Sequence, residues 1–135
     1  MFIQNASYSA ICCGDHWYRD ENALLIQITQ PEDDFPRPHY RFNKVVQFRF
    51  NDVDCSPDDE VRCGAIKDQQ AKDIVDALRE AYDNKMDVIV HCSAGLCRSG
   101  AVVEGGIALG FEDTKKFRLP NLLVKRKLLR EISNK

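Results

Sequence analysis

The chain lacks any apolar run of about 18 residues or more, the length a membrane-spanning helix needs, so no spanning segment is expected. It lacks a charge excess. Lys and Arg number 19 against 21 Asp and Glu, and the net −2 gives no general pull toward nucleic acid or an anionic membrane. The opening Met1-Phe2-Ile3-Gln4-Asn5 lacks a basic segment followed by a long apolar core, so no secretory signal is read there. A soluble, cytoplasmic protein is the expectation. The six cysteines include no C-x-x-C pair, which argues against a zinc ribbon, and Cys12 and Cys13 are adjacent. With 135 residues, 44% of them apolar, the chain can build a core without a disulfide scaffold, so free thiols are expected. No internal repeat and no second domain are found, and residues 1–135 read as a single domain.

Short apolar runs of strand length occur at residues 2–8, 23–29, 45–50 and 86–90, with Tyr40 and Phe42 extending the third. Three prolines within residues 31–38 exclude regular structure there. Residues 12–21 read as turn-like, around Gly14-Asp15. Ala71, Ile74, Val75, Leu78, Ala81 and Tyr82 fall at helical spacing and predict an amphipathic helix over 66–82, with Asp68 in its first turn and Asn84 as its stop. A second helix is predicted from Ala101-Val102-Val103 onward. Gly105-Gly106 is poor helix chemistry, so either that helix ends there or something packs very close. A last helix follows Pro120-Asn121. Leu122, Val124, Leu128, Leu129 and Ile132 are assigned to its apolar side, and Lys125, Arg126, Lys127 and Arg130 to its solvated side. Strands alternating with helices imply an α/β fold with a central, mainly parallel sheet flanked by helices.

Between the run Val88-Ile89-Val90 and that second helix lies His91-Cys92-Ser93-Ala94-Gly95-Leu96-Cys97-Arg98-Ser99-Gly100. A thiol and a guanidinium bracket five residues of a strand-to-helix loop. A thiolate, not a thiol, is the nucleophile, and a free thiol titrates at about 8.5, so the loop has to favour the anion. Inward-turned backbone N–H groups, the helix N-terminus and Arg98 all do so, and they favour a bound phosphate equally. Arginine can hold two phosphate oxygens with its fork. Gly95 permits a backbone conformation a side chain would hinder. Ser99 can hydrogen-bond the sulfur, and His91 is expected to anchor the loop from behind. Attack on a phosphate ester also requires a proton for the departing oxygen. The acidic residues 51–64 are the natural supplier. Asp52, at the strand end, is the first choice, Asp54 the second, with Asp58 and Asp59 behind them. The same carboxylate could then activate water. No metal or cofactor is needed in this scheme.

His91-Cys92-x5-Arg98-Ser99-Gly100 resembles the signature of the cysteine-dependent protein tyrosine phosphatase superfamily. The short chain and the order strand, acidic loop, helix, strand, signature are similar to its dual-specificity branch. Phe50-Asn51-Asp52 matches the place where that branch carries its general acid. The resemblance spans roughly residues 45–110, with Pro120-Asn121 and the following helix similar to the end of small members. It implies a phosphatase-like α/β fold and a single catalytic domain over residues 1–135. It implies Cys92 as nucleophile, Arg98 as phosphate ligand, Ser99 as the aid to thiolate departure and Asp52 as the acid. Ser93, Ala94, Gly95, Leu96, Cys97 and Arg98 would form the phosphate cradle. The implied substrate is a phosphorylated protein carrying phosphotyrosine, with phosphotyrosine-only and dual specificity both left open by the sequence, and a monomer is expected. The loop carries no lysine, unlike phosphoinositide-directed relatives.

Other readings are a rhodanese-like sulfurtransferase, whose loops hold four residues before Arg, and an inactive phosphate-binding module. An arsenate reductase or low-molecular-weight phosphatase would carry its Cys loop near the N-terminus. Cys97 reads as a small residue packed beneath the loop, with a redox partnership to Cys92 as the sharper alternative. Cys12, Cys13, Cys55 and Cys63 read as core or surface thiols, and His16 and His39 as loop residues.

Overall fold

The computed structural model describes residues 1–14 and 22–134. His16 and the greater part of the turn-like segment 12–21 lie outside them. Five strands form one sheet: β1 (Phe2–Ala6), β2 (Ala23–Thr29), β3 (Lys44–Arg49), β4 (Asp87–His91) and β5 (Glu112–Asp113). Their spatial order is β3-β2-β4-β1-β5, and every pairing among the described residues is parallel. Central strands of a parallel sheet are covered on both faces and read as continuous apolar runs. β2 is buried along its whole length. Alternation then divides its side chains. Leu24, Ile26 and Ile28 join Val88 and Val90 in a large core, whereas Ala23 and Leu25 join Ile89 in a smaller one.

The larger core is roofed by α3 (Asp68–Asp83), α4 (Arg98–Leu109) and α5 (Leu122–Ser133). The smaller is covered by α1 (Tyr8–Cys13). α1 falls partly in the segment read as a turn. Ser7 caps it, its Oγ accepting from Ala10 N at 3.1 Å, and Gly14 ends it at φ 76°. Tyr40 and Phe42 precede β3 rather than extending it. The acidic loop is partly helical, with a 3₁₀ turn at Pro57–Asp59 and α2 at Glu60–Cys63. α3 starts two residues later than its periodicity suggests, and Asn84 is its C-cap.

α4 runs straight through Gly105-Gly106. A Cβ on Gly106 would collide with the Ile3 side chain of β1, so the glycine lets the helix lie directly on the sheet. The helical face assigned to α5 requires correction. Leu122 is 62% exposed, whereas Lys127 is 5% exposed and faces inward. Lys127 Nζ donates to Ile66 O at 2.8 Å and pairs with Glu60 and, at 3.1 Å, with Asp68. Burial is tolerated because each donor finds an acceptor. This cation ties α5 to α2 and α3. No helix among the described residues is long and apolar enough to cross a membrane.

Candidate active site

In an open parallel sheet, ligand sites form beyond the carboxyl ends of the strands, where neighbouring connections diverge. Here β4 lies between β1 and β2, and the loop of residues 92–97 leaves its carboxyl end. The segments leaving β1, β2 and β3 surround it. Tyr8 N donates to Ser93 O at 3.1 Å, and Gln30, just after β2, accepts from the Ser93 hydroxyl at 3.0 Å. Gly95 has φ 76°, and a Cβ there would stand 2.5 Å from the Ala6 carbonyl. Asn5 Nδ2 donates to Gly95 O at 2.6 Å. The loop is therefore braced from beneath by β1 and opens toward solvent at Ser93 and Ala94.

Cys92 is buried, and its Sγ lies 3.2 Å from Ser99 Oγ in the first turn of α4. That helix N-terminus adds its partial positive charge to the same spot. Arg98 is 4% exposed. Its Nη1 donates to Phe50 O at 2.9 Å, and its Nη2 donates to Gln30 Oε1 at 2.9 Å and Ser93 Oγ at 3.3 Å. Its Nε is buried and unpartnered. A buried guanidinium N–H without an acceptor is costly unless a ligand supplies one, and an oxyanion in the loop would do so. His91 is fully buried beneath the loop, edge-on to Tyr8, and neither ring nitrogen has a well-aligned partner. Burial lowers its pKa to about 4 and the Arg98 charge pushes the same way, against the Cys92 backbone. His91 is thus a neutral support under the loop.

Of the four candidate carboxylates, Asp52 contacts the loop. Its carboxylate accepts from Asn121 Nδ2 at 2.7 Å and hydrogen-bonds the Cys97 side chain. Burial and the Asp52 charge push the Cys97 thiol up, so it remains a thiol and donates to that carboxylate. Cys97 is half-buried at the rim, not packed beneath the loop. Asp54 and Asp58 are exposed, and Asp59 pairs with Arg62 at 2.7 Å.

Two residues that motif reading passed over organise the site. Gln30 receives both Arg98 and Ser93. Asn121 works in four directions: its Nδ2 reaches Asp52 and, at 3.1 Å, Val53 O; its Oδ1 caps α5 through Val124 N at 3.1 Å; its own N–H donates to Cys97 O at 3.0 Å. The one sequence signal for it was Pro-Asn before an apolar helix, an N-cap pattern. Cys55 and Cys63 hydrogen-bond each other on the acidic loop, and Cys12 and Cys13 are exposed on α1. Among the described residues no group of three or more His, Cys, Asp or Glu could hold a metal ion.

No protein-family pattern and no curated protein matches this sequence. Solved structures do. The human tyrosine phosphatase-like serine/threonine/tyrosine-interacting protein superposes with a TM-score of 0.62 at 18% identity, over 98% of this chain and 91% of that one. A mouse protein described as a dual specificity phosphatase, solved with zinc tungstate, superposes with a TM-score of 0.51 at 13% identity, over 84% of this chain and 72% of that one. The fold is that of the dual-specificity-type phosphatases, an α/β fold as the residue pattern implied.

Proposed function

We propose that this chain is a cysteine-dependent phosphatase acting on phosphorylated protein side chains, phosphotyrosine first. One observation carries the reading: a buried thiol and a buried Arg98 with an orphaned Nε share a strand-to-helix loop, with Ser99 Oγ 3.2 Å from the sulfur. A phosphoryl group seated on the loop N–H groups takes hydrogen bonds from Arg98 Nε and from Nη2, which shifts off Gln30 and Ser93. The Cys92 thiolate attacks phosphorus, and the ester oxygen leaves with a proton from Asp52, which performs this step in its protonated form. Asp52, now a carboxylate, takes a proton from water as that water attacks the cysteinyl-phosphate. Ser99 O–H donates to the departing sulfur. Inorganic phosphate is released, and the Cys92 thiolate and the protonated Asp52 are restored.

The fold likeness supports this reading at the level of scaffold, and the contact between Asp52 and Cys97 supports Asp52 over Asp54 as acid. The five-residue spacing from Cys92 to Arg98 favours phosphate over the smaller sulfur species of a four-residue sulfurtransferase loop.

The test is hydrolysis of p-nitrophenyl phosphate without added metal. Cys92→Ser should abolish turnover while retaining vanadate or tungstate binding. Asp52→Asn should lower kcat by about 10²–10⁴-fold, and Asp54→Asn should leave it nearly unchanged. Full activity in Cys92→Ser refutes the mechanism, and the larger loss in Asp54→Asn moves the acid by two residues. A wild-type protein that binds oxyanion and turns nothing over is the phosphate-binding module instead.

A further inference from the structure

Two donors from opposite ends of the loop converge on one acceptor atom. Arg98 Nη2 donates to Gln30 Oε1 at 2.9 Å, and the Ser93 hydroxyl donates to the same oxygen at 3.0 Å. The amide cannot turn over at that spot. Its Nε2 donates to Asp33 Oδ2 at 2.8 Å, so a flipped amide would set NH₂ against the guanidinium and its oxygen against a carboxylate. Gln30 Oε1 therefore uses both of its acceptor sites on groups that the loop needs for an anion.

The guanidinium shows what this contact leaves undone. Nε and Nη2 form the edge that can grip two oxygens of one phosphoryl group. Nη2 is taken by Gln30 and Ser93, whereas Nε is buried without a partner. Gln30 thus fills half of a fork. It is not what places Arg98, because Nη1 is fixed separately by Phe50 O at 2.9 Å and the side chain is 4% exposed. A neutral amide oxygen is a weaker acceptor than a phosphoryl oxygen, so the contact yields to a dianion while lowering the net gain from binding it.

We propose that Gln30 is a built-in competitor for the phosphate site: its side-chain oxygen occupies Arg98 and Ser93 between turnovers, and substrate or product has to displace it. The proposal rests on the phosphatase reading and adds a residue that sets how tightly that site holds phosphate, and so how readily inorganic phosphate leaves.

The test is calorimetric titration of tungstate into wild type, Gln30→Met, Gln30→Ala and Gln30→Glu at fixed ionic strength, with the Ki of inorganic phosphate measured during p-nitrophenyl phosphate turnover. Methionine keeps an unbranched chain and removes the acceptor. Gln30→Met should bind tungstate about three- to tenfold more tightly and lower the phosphate Ki by the same factor, the scale of one net hydrogen bond. Gln30→Ala should move the same way, so a folding failure of either variant leaves the other to decide. Gln30→Glu, whose carboxylate pairs with Arg98, should weaken tungstate by about tenfold or more. Unchanged or weaker binding in the methionine and alanine variants makes Gln30 a support for Arg98 and overturns the proposal, as does undiminished binding in Gln30→Glu. The tungstate arm needs no turnover. If the wild type hydrolyses nothing, the phosphatase reading fails, and Gln30 as competitor still stands on tighter binding in Gln30→Met or falls without it. Absence of tungstate binding in every variant overturns it.

Discussion

Asn121 joins three parts of the molecule, so two substitutions there separate helix capping from acid positioning. Asn121→Ala removes the cap on Val124 N and the donations to Asp52 and Val53 O. Loss of an N-cap costs about 1 kcal/mol, within a range of about 0.5–2. Asp52 is exposed, so water replaces the lost donors there, and that part costs about 0.5–1 kcal/mol. For a chain of 135 residues each kcal/mol moves Tm by about 3–5 °C, so the alanine variant should melt about 5–10 °C below wild type. Asn121→Ser keeps an equally good cap but cannot span to Asp52, and should recover about 1 kcal/mol of that loss. Turnover should not recover with it. Displacing a reacting group by about 1 Å costs up to about 10²-fold, so both variants should lose about 10- to 100-fold in kcat on p-nitrophenyl phosphate. Thermal unfolding and steady-state kinetics on the two proteins decide the matter. If serine restores activity in proportion to stability, Asn121 acts through α5 alone and the acid-positioning argument is refuted.

Lys127→Met should destabilise by about 1–3 kcal/mol, below the usual figure for breaking a buried pair because Asp68 is largely exposed and Glu60 partly so. Lys127 beside Asp68 holds that carboxyl below its usual range, so its contribution is present above about pH 4 and lost as pH falls through the lower folded value. The stability gap between wild type and Lys127→Met should therefore narrow in acid, as urea titrations at several pH values would show. Gly95→Ala combines left-handed backbone strain of about 1–2 kcal/mol with about 1–3 from crowding the Ala6 carbonyl. It should lose oxyanion binding as well, and an alanine variant matching wild type in both assays contradicts the bracing of the loop by β1. His91 falls from 6.5 free to about 4 folded, so the unfolded chain binds the extra proton and stability is lost as pH drops between those values. The loss approaches about 3 kcal/mol at about 1.4 per unit. His91→Gln should flatten that part of the stability–pH curve, and an unchanged slope assigns it to other groups.

The loop was legible in the sequence because its chemistry is contiguous: thiol, glycine, guanidinium and hydroxyl lie within eight residues between two strong local patterns. Asp52 was legible as a carboxylate at a strand end. Gln30 and Asn121 were not, because each acquires its role from a partner 68 or 69 positions away. Lys127 misled for a different reason. Residues 123, 124, 127 and 128 share one helical face, and the spacing alone would have turned position 127 inward. Its charge argued against that placement until Glu60, Asp68 and Ile66 O supplied partners. The Gly105-Gly106 ambiguity resolved toward close packing, which depends on where Ile3 sits. α1 was missed as a six-residue helix held by its caps rather than by periodicity.

The placement of β1 has a consequence for how the chain matures. Its neighbours, β4 and β5, both come from far along the sequence, and Ile3 pairs with Val88 on one side and Asp113 on the other. During synthesis the first strand therefore waits for most of the polypeptide before it can enter the sheet, and non-local parallel pairing of this kind is slow. The brace under Gly95 and the segment reaching Asn121 arrive last of all. Cys92 is made after Gln30 and Asp52 but before Arg98, Ser99 and Asn121, so its surroundings are complete only once the segment carrying Asn121 is in place.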